Sequence, residues 1–372
     1  MTRSPHLRSG MPFFVLVAAA WIYCALPVEA VAREAATVEV SVGESIQAAI
    51  DTAEPGDVVS IGAGVFRESL VVDRSVTLRG TAEGTTVSGE DFGAAVRIVG
   101  EDVRVRIERL TVTGGRGFRG HGIQTEDDVS VELIDVTSTG NAWCGVWATD
   151  RSTLVLENCR LVENHTFGLY TWDFARVELR DCTIADNGTH GILALHASEV
   201  TLAGCLVAGN WCGGWAWDGV RFRATDTEFV DNAAQGIAAH NGALIDLTRC
   251  TVARNADSGL WFSDSSRGVL TESVVRGNGR DGGLIERDGI VEFYRCTILD
   301  NAGVGIRAAA SECVGGFDPA NPYKGWVKGV GNVVPGPTAE HGNREAALCP
   351  SYPGSLWPPA FLDEESGGSD PD

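Results

Sequence analysis

A glycine recurs along this chain at an almost constant interval, and no other feature restricts the fold as strongly. The series runs Gly122, Gly145, Gly168, Gly191, Gly213, Gly236, Gly259, Gly282 and Gly305, with seven intervals of 23 residues and one of 22. Nineteen residues after each of the first eight stands an asparagine: Asn141, Asn164, Asn187, Asn210, Asn232, Asn255, Asn278 and Asn301. Eight matches in eight units mean that one structural element is being repeated.

Inside each unit the apolar residues alternate with period two in three short runs separated by turn residues. This excludes the helical repeats, whose period is 3.6. Three strands per unit with an asparagine at one turn predict an all-β parallel β-helix, each coil burying its edge on the next about 4.8 Å away. Stacked Asn amides can bond to one another and to the turn backbone, which Ala or Val cannot do. Inward positions are predicted at Leu154/Leu156, Val177/Leu179, Val200/Leu202 and Ile245/Leu247, and on the first strand at Val146/Ala148, Leu169/Thr171, Ile192/Ala194, Ile237/Ala239 and Leu260/Phe262. A second ladder runs through Cys159, Cys182, Cys205, Cys250 and Cys296, with Val136, Thr227 and Ser273 in the remaining coils. Because small apolar or hydroxyl residues replace them, these cysteines read as buried thiols rather than disulfides, and no Cys/His spacing suits a metal.

The repeat accounts for residues 38–310. Ahead of it, residues 1–32 read as a signal peptide: Arg3 and Arg8, then an apolar run, then small-x-small sites at Ala30 and Ala32. The mature chain is therefore expected in the periplasm or secreted, without membrane insertion. In SIQAAIDTAEPGD, Ser45 is placed to cap a short helix and Pro55-Gly56 to stop it, covering the open first coil. Residues 311–362 lose the period and gain proline, which predicts an irregular C-terminal cap, with Cys313 and Cys349 as the best disulfide pair. The tail 363–372 is acidic, lacks apolar residues and is expected to be disordered. Loss of the leader, with two Arg and one Glu, moves the net charge from −21 to −22. Such a surface repels nucleic acid and, without a bridging metal, polyanionic glycans.

The opening SIQAAIDTAEPGDVVSI and the repeat GI-x-A…C-x-I-x-x-N resemble the right-handed parallel β-helix superfamily, the pectin-lyase-like fold, and its periplasmic carbohydrate-binding and sugar-hydrolase group. The resemblance spans roughly residues 40–310 and implies a right-handed, single-stranded solenoid. It says little of function, since the superfamily holds lyases, hydrolases, epimerases, copper-maturation accessories and adhesins. Gly120-His121-Gly122 looks like the GHG of polygalacturonases, but the Asp pairs those enzymes need are absent and His190 precedes a repeat glycine in the same way. The Asp-Pro-His signature of alginate epimerases is missing too.

Residues alternating with the inward ones should face solvent. They include Trp147, Tyr170, Trp215 and Trp261 in one column, and Glu126, Trp172, Trp217 and His240 in the next. A stripe of exposed aromatics marks an interaction surface, and indole and phenol faces stack on sugar rings while their N–H and O–H groups reach hydroxyls. These residues are the candidate glycan contacts. The same stripe would equally serve as a seam under the C-terminal segment or a second subunit, and no oligomeric state follows from it. One position further on, Asp127, Asp150, Asp173, Asp218 and Asp264 recur, with His196 and Asn241 between them. Asp and Asn are turn formers, yet carboxylates one coil apart also suit acid–base hydrolysis or Ca²⁺. The candidate catalytic set is Asp150, Asp173 and Asp218, with His196 or His240 assisting; a lyase would need cations, which are scarce here. Expected, then, is an exported protein that binds a polysaccharide, with cleavage by a hydrolase or lyase left open. The alternative is a non-catalytic adhesin-like or metal-centre maturation protein.

Overall fold

The computed structural model describes residues 33–308, 326–334 and 348–349, and the described residues from Ala35 onward belong to one compact unit. A single coil shows how it is built. Phe167–Thr171 (β1), Arg176–Arg180 (β2) and Thr183–Ala185 (β3) lie on three different sheets. Each strand pairs in parallel with its equivalents one coil before and after: Tyr170 stands between Trp147 and Leu193, and Leu179 between Leu156 and Leu202. Repeated along the chain, this gives parallel sheets of 12, 13 and 11 strands, a right-handed β-helix of about twelve coils.

All the inward positions predicted from the alternation are buried, and Phe222, Phe229, Phe262 and Phe293 are the largest side chains fully enclosed among the described residues. The asparagines form one continuous ladder. Asn164 Nδ2 donates to Asn187 Oδ1 at 3.0 Å, Asn187 Nδ2 to Asn210 Oδ1 at 3.0 Å, and the chain of bonds continues from Asn141 to Asn301. Each backbone N–H of the ladder also meets the next side-chain oxygen, as Asn187 N does Asn210 Oδ1 at 3.0 Å. The repeat glycine follows from this ladder. A Cβ on Gly145 would fall 2.8 Å from Asn164 Nδ2 and 2.8 Å from Gly168 O, so any other residue there would push the amide off its partners.

The cysteine ladder is buried and free, each thiol turned toward a backbone carbonyl, as Cys159 Sγ is to Leu133 O at 3.3 Å. Burial raises the Cys250 thiol to about 11, so it stays protonated. At the N-terminal end Ile46–Thr52 (α1) packs Ile46, Ala49 and Ile50 over the first coil. Ser45 Oγ accepts from Ala48 N, and the Glu68 carboxylate accepts from Ile46 N at 2.7 Å and Gln47 N at 3.1 Å. At the other end Trp326–Val330 pairs in parallel with Ile290–Tyr294, so the segment expected to be irregular adds a further rung. Leu348–Cys349 likewise extends the sheet that carries β1. The leader, Cys313 and the acidic tail lie outside the described residues, and with them the Cys313–Cys349 pair. Among the described residues no helix is long and apolar enough to cross a membrane.

Candidate functional site

The aromatic stripe lies on the sheet of β1. Gln124, Trp147, Tyr170, Leu193, Trp215, Ala238, Trp261 and Leu284 stand in register on its outer side. Outward does not mean exposed here. The large rings lie over the small residues between them, so Ala238, Thr149 and Ser263 are buried while Trp147, Tyr170, Trp172, Trp215 and Trp261 are half-buried. Trp217 is the most open of the predicted contacts, at 41%.

Sequence alternation missed a further outward column, one residue before each repeat glycine: His121, Cys144, Phe167, His190 and Cys212. The glycine itself is turned toward the asparagine ladder, which breaks the alternation and sends the preceding side chain under the aromatics. His121 lies 4.6 Å from Trp147 and 5.2 Å from Trp143, ring centre to ring centre, with Nδ1 2.6 Å from Cys144 Sγ. His190 sits among Phe167, Trp211 and Trp215 at 5.3–5.6 Å. Burial lowers His121 to about 3 and His190 to about 4, so both are neutral imidazoles at neutral pH.

A cleft of about 530 Å³ opens where these columns meet. Trp147, Tyr170 and Trp172 form its floor, Trp143, Phe118 and Arg119 one wall, and Glu126, Asp150 and Asp173 the other. Trp147 and Tyr170 are nearly parallel, 6.0 Å apart, and Trp172 meets Tyr170 edge-on. Phe118 and Arg119 belong to a longer coil: Ile123 pairs with Val96, 27 residues back, where the coils that follow step by 23 or 22. That departure from the period was the only sequence sign of them. The Arg119 guanidinium lies 5.6 Å from the Trp147 ring centre. Glu126, a predicted substrate contact, is held by Arg97, whose Nη2 donates to it at 2.5 Å, and by the Gln124 amide.

The acidic column has a local cause. Asp127, Asp150, Asp173, His196, Asp218, Asn241 and Asp264 all have φ between 48° and 64°, and a second left-handed residue follows most of them: Arg151, Phe174, Ala197, Gly219, Gly242 and Ser265. Ser152 N closes one such turn on Thr149 O at 3.0 Å. Two successive positive φ values are those of a type I′ turn, which favours Asp and Asn at its first position. The repeat then stacks the turns. His196 Nδ1 comes 3.2 Å from Asp173 Oδ1, its Nε2 3.9 Å from Asp218 Oδ2, and its ring 3.9 Å from that of Trp172. The imidazole fills the space between Asp173 and Asp218 that an inverting pair would leave to water. Asp150 makes no hydrogen bond or ion pair among the described residues.

His240, expected to assist catalysis, is instead enclosed. It is 3% exposed, with Nδ1 2.6 Å from Ser263 Oγ and the rings of Trp215, Trp217 and Trp261 at 4.5–5.4 Å. Burial lowers it to about 4, against a smaller opposing pull from Asp264. It braces the tryptophans and does not reach the surface as a proton carrier. Trp261 Nε1 donates to Glu286 at 3.2 Å. Among the described residues no three His, Cys, Asp or Glu side chains converge as a metal site.

The family of right-handed β-helix regions matches residues 76–229 and 219–314, well over half the chain, and the protein belongs to it. No curated protein matches the sequence significantly. Among solved structures, the A-module of mannuronan C-5 epimerase AlgE6 from Azotobacter vinelandii is similar with a TM-score of 0.60 at 15% identity, over 82% of this chain and 90% of that one. The periplasmic alginate epimerase AlgG gives 0.55 at 13% identity, over 84% and 80%. Tailspike protein 2 of Escherichia coli O157:H7 bacteriophage CAB120 gives 0.52 at 11%, over 70% and 42%. At such identities the likeness is one of fold.

Proposed function

For this member of the right-handed β-helix family, we propose a polysaccharide ligand lying along the aromatic groove, acted on at the Asp150–Asp173 edge. The observation that carries the reading is the cleft floor: three large rings on two successive coils, half exposed and oriented differently, with carboxylates beside them. Aromatic faces suit the C–H faces of sugars, and one coil advances about as far as one extended sugar unit, about 5 Å. The fold neighbours named for mannuronan and alginate epimerisation accord with a sugar polymer, although the acidic edge here is a poor match for uronates.

If bonds are cleaved, the unpaired Asp150 carboxylate and Asp173 are one coil apart, the separation of a retaining pair. One carboxylate then attacks the anomeric carbon while the other, protonated, gives its proton to the leaving oxygen. Water deprotonated by that second group next displaces the sugar from the first, with His196 orienting Asp173. Export through the leader to the periplasm or medium is part of the proposal, and neither step requires a metal. A non-catalytic role is the second reading, favoured by one observation: the type I′ turns already account for Asp150, Asp173, Asp218 and Asp264. Glycan-array binding followed by reducing-end analysis on the hits tests both. Binding without new reducing ends selects the second reading, and no binding removes the first altogether.

A further inference from the structure

The charge along the groove carries a second inference, which rests on the polysaccharide reading above. The aromatic cleft and a second one beside it share Asp150 and Asp173; together they are lined by six carboxylates, of which Glu126 is paired with Arg97, and by two guanidiniums. Of the two guanidiniums, Arg151 lies 3.8 Å from Asp128, and Arg119 faces the rings of Phe118 and Trp147. The histidines beneath the floor add no positive charge, since burial keeps His121 neutral. Trp147 Nε1 in the floor, and Nε2 of the wholly buried His121 beneath it, have no hydrogen-bond partner. An aromatic floor beside carboxylates on three successive coils, Asp127, Asp150 and Asp173, is complementary to a polymer bearing one positive charge per sugar. An ammonium is attracted both by ring faces and by carboxylates. A uronate would set like charges side by side at these three coils, and a neutral glycan would leave the edge unused.

We propose that the groove takes a polysaccharide of amino sugars with free amines, the sugar faces on Trp147, Tyr170 and Trp172 and the ammonium groups along Asp150 and Asp173.

The test compares full-length protein binding to chitosan oligosaccharides, their fully N-acetylated counterparts and oligogalacturonate. Titrations are run at about pH 5.5, below the range of amines and above that of carboxylates. Chitosan is expected to bind at least tenfold tighter than the N-acetylated oligomer, with the margin shrinking as salt is raised. Asp150→Asn combined with Asp173→Asn should remove that preference, whereas Trp172→Ala should weaken both ligands. Asn keeps the left-handed turn, and the ligand comparison on the unaltered protein does not depend on either variant. Equal affinity for the two oligomers, or tighter binding of oligogalacturonate, overturns the charge inference and leaves the polysaccharide reading standing. Failure of the unaltered protein to bind any glycan overturns both.

Discussion

His196 Nδ1 lies 3.2 Å from Asp173 Oδ1 although 23 residues separate them. The separation is one repeat, so the coil length itself brings imidazole and carboxylate together. The next carboxylate, Asp218, approaches the other ring nitrogen at 3.9 Å. If the edge is catalytic, Asp173→Asn should lower hydrolysis by about 10²–10⁴-fold, the range for loss of a general acid or base. Asn is the right probe because it tolerates φ near 48°, whereas Ala there adds strain of about 1 kcal/mol. Rates on a glycan hit, read beside an unchanged melting temperature, check this; full activity in the variant rules Asp173 out.

Asn187 is 3% exposed and its amide donates to both Leu161 O and Asn210 Oδ1 at 3.0 Å. Asn187→Ala removes the amide donor to Leu161 O and the oxygen that accepts from the Asn164 N–H and amide, and should destabilise by about 1–3 kcal/mol. Asn141 and Asn301, at the ends of the ladder, should cost less. Urea titrations of the three variants measure the difference.

Trp217 is 41% exposed, and Trp172 is half-buried against Tyr170 and His196. Trp217→Ala should change stability by less than about 1 kcal/mol, since little of the ring is in the core. Each variant should lose about 1–3 kcal/mol of glycan affinity, on the scale of base–aromatic stacking. A drop of about 3–5 kcal/mol in stability for Trp217→Ala would instead mark a covered seam.

Acid should weaken the fold through its buried histidines. His240, lowered to about 4, takes up a proton less readily folded than unfolded, where its value is about 6.5. Between these values the unfolded chain binds more protons, so stability is full above about pH 6.5 and falls as pH drops toward 4. The loss from His240 is at most about 3 kcal/mol. His240→Asn should flatten that part of a stability–pH curve recorded by chemical denaturation, and an unchanged slope would show that His240 is not the sensor.

The ladder cysteines should label as five free thiols after unfolding under non-reducing conditions, since each is buried and unbridged. A Cys159–Cys182 crosslink in a mass spectrum would contradict the geometry.

How much of this was legible beforehand follows from the distance over which each feature is decided. The period of Gly and Asn, and the alternation that sets inward pairs such as Val177 and Leu179, are properties of one coil, and every coil repeats them. The β-helix, its core and its ladder were therefore readable from the chain alone. The aromatic stripe and the acidic turn column were readable for the same reason. Side-chain relations across coils were not. Alternation places His240 outside, but the rings of Trp215, Trp217 and Trp261, from the coils to either side, bury it. Gly145 looks like a strand residue, and only the Asn164 amide beside it explains why the glycine turns inward and Cys144 outward. Phe118 and Arg119 precede the first regular unit, so no period announced the wall they build over Trp143 and Trp147. The sequence by itself determined the solenoid, because backbone pairing and apolar burial repeat with the coil; the tertiary structure alone decided the groove, because its shape and charge depend on unlike side chains meeting between coils.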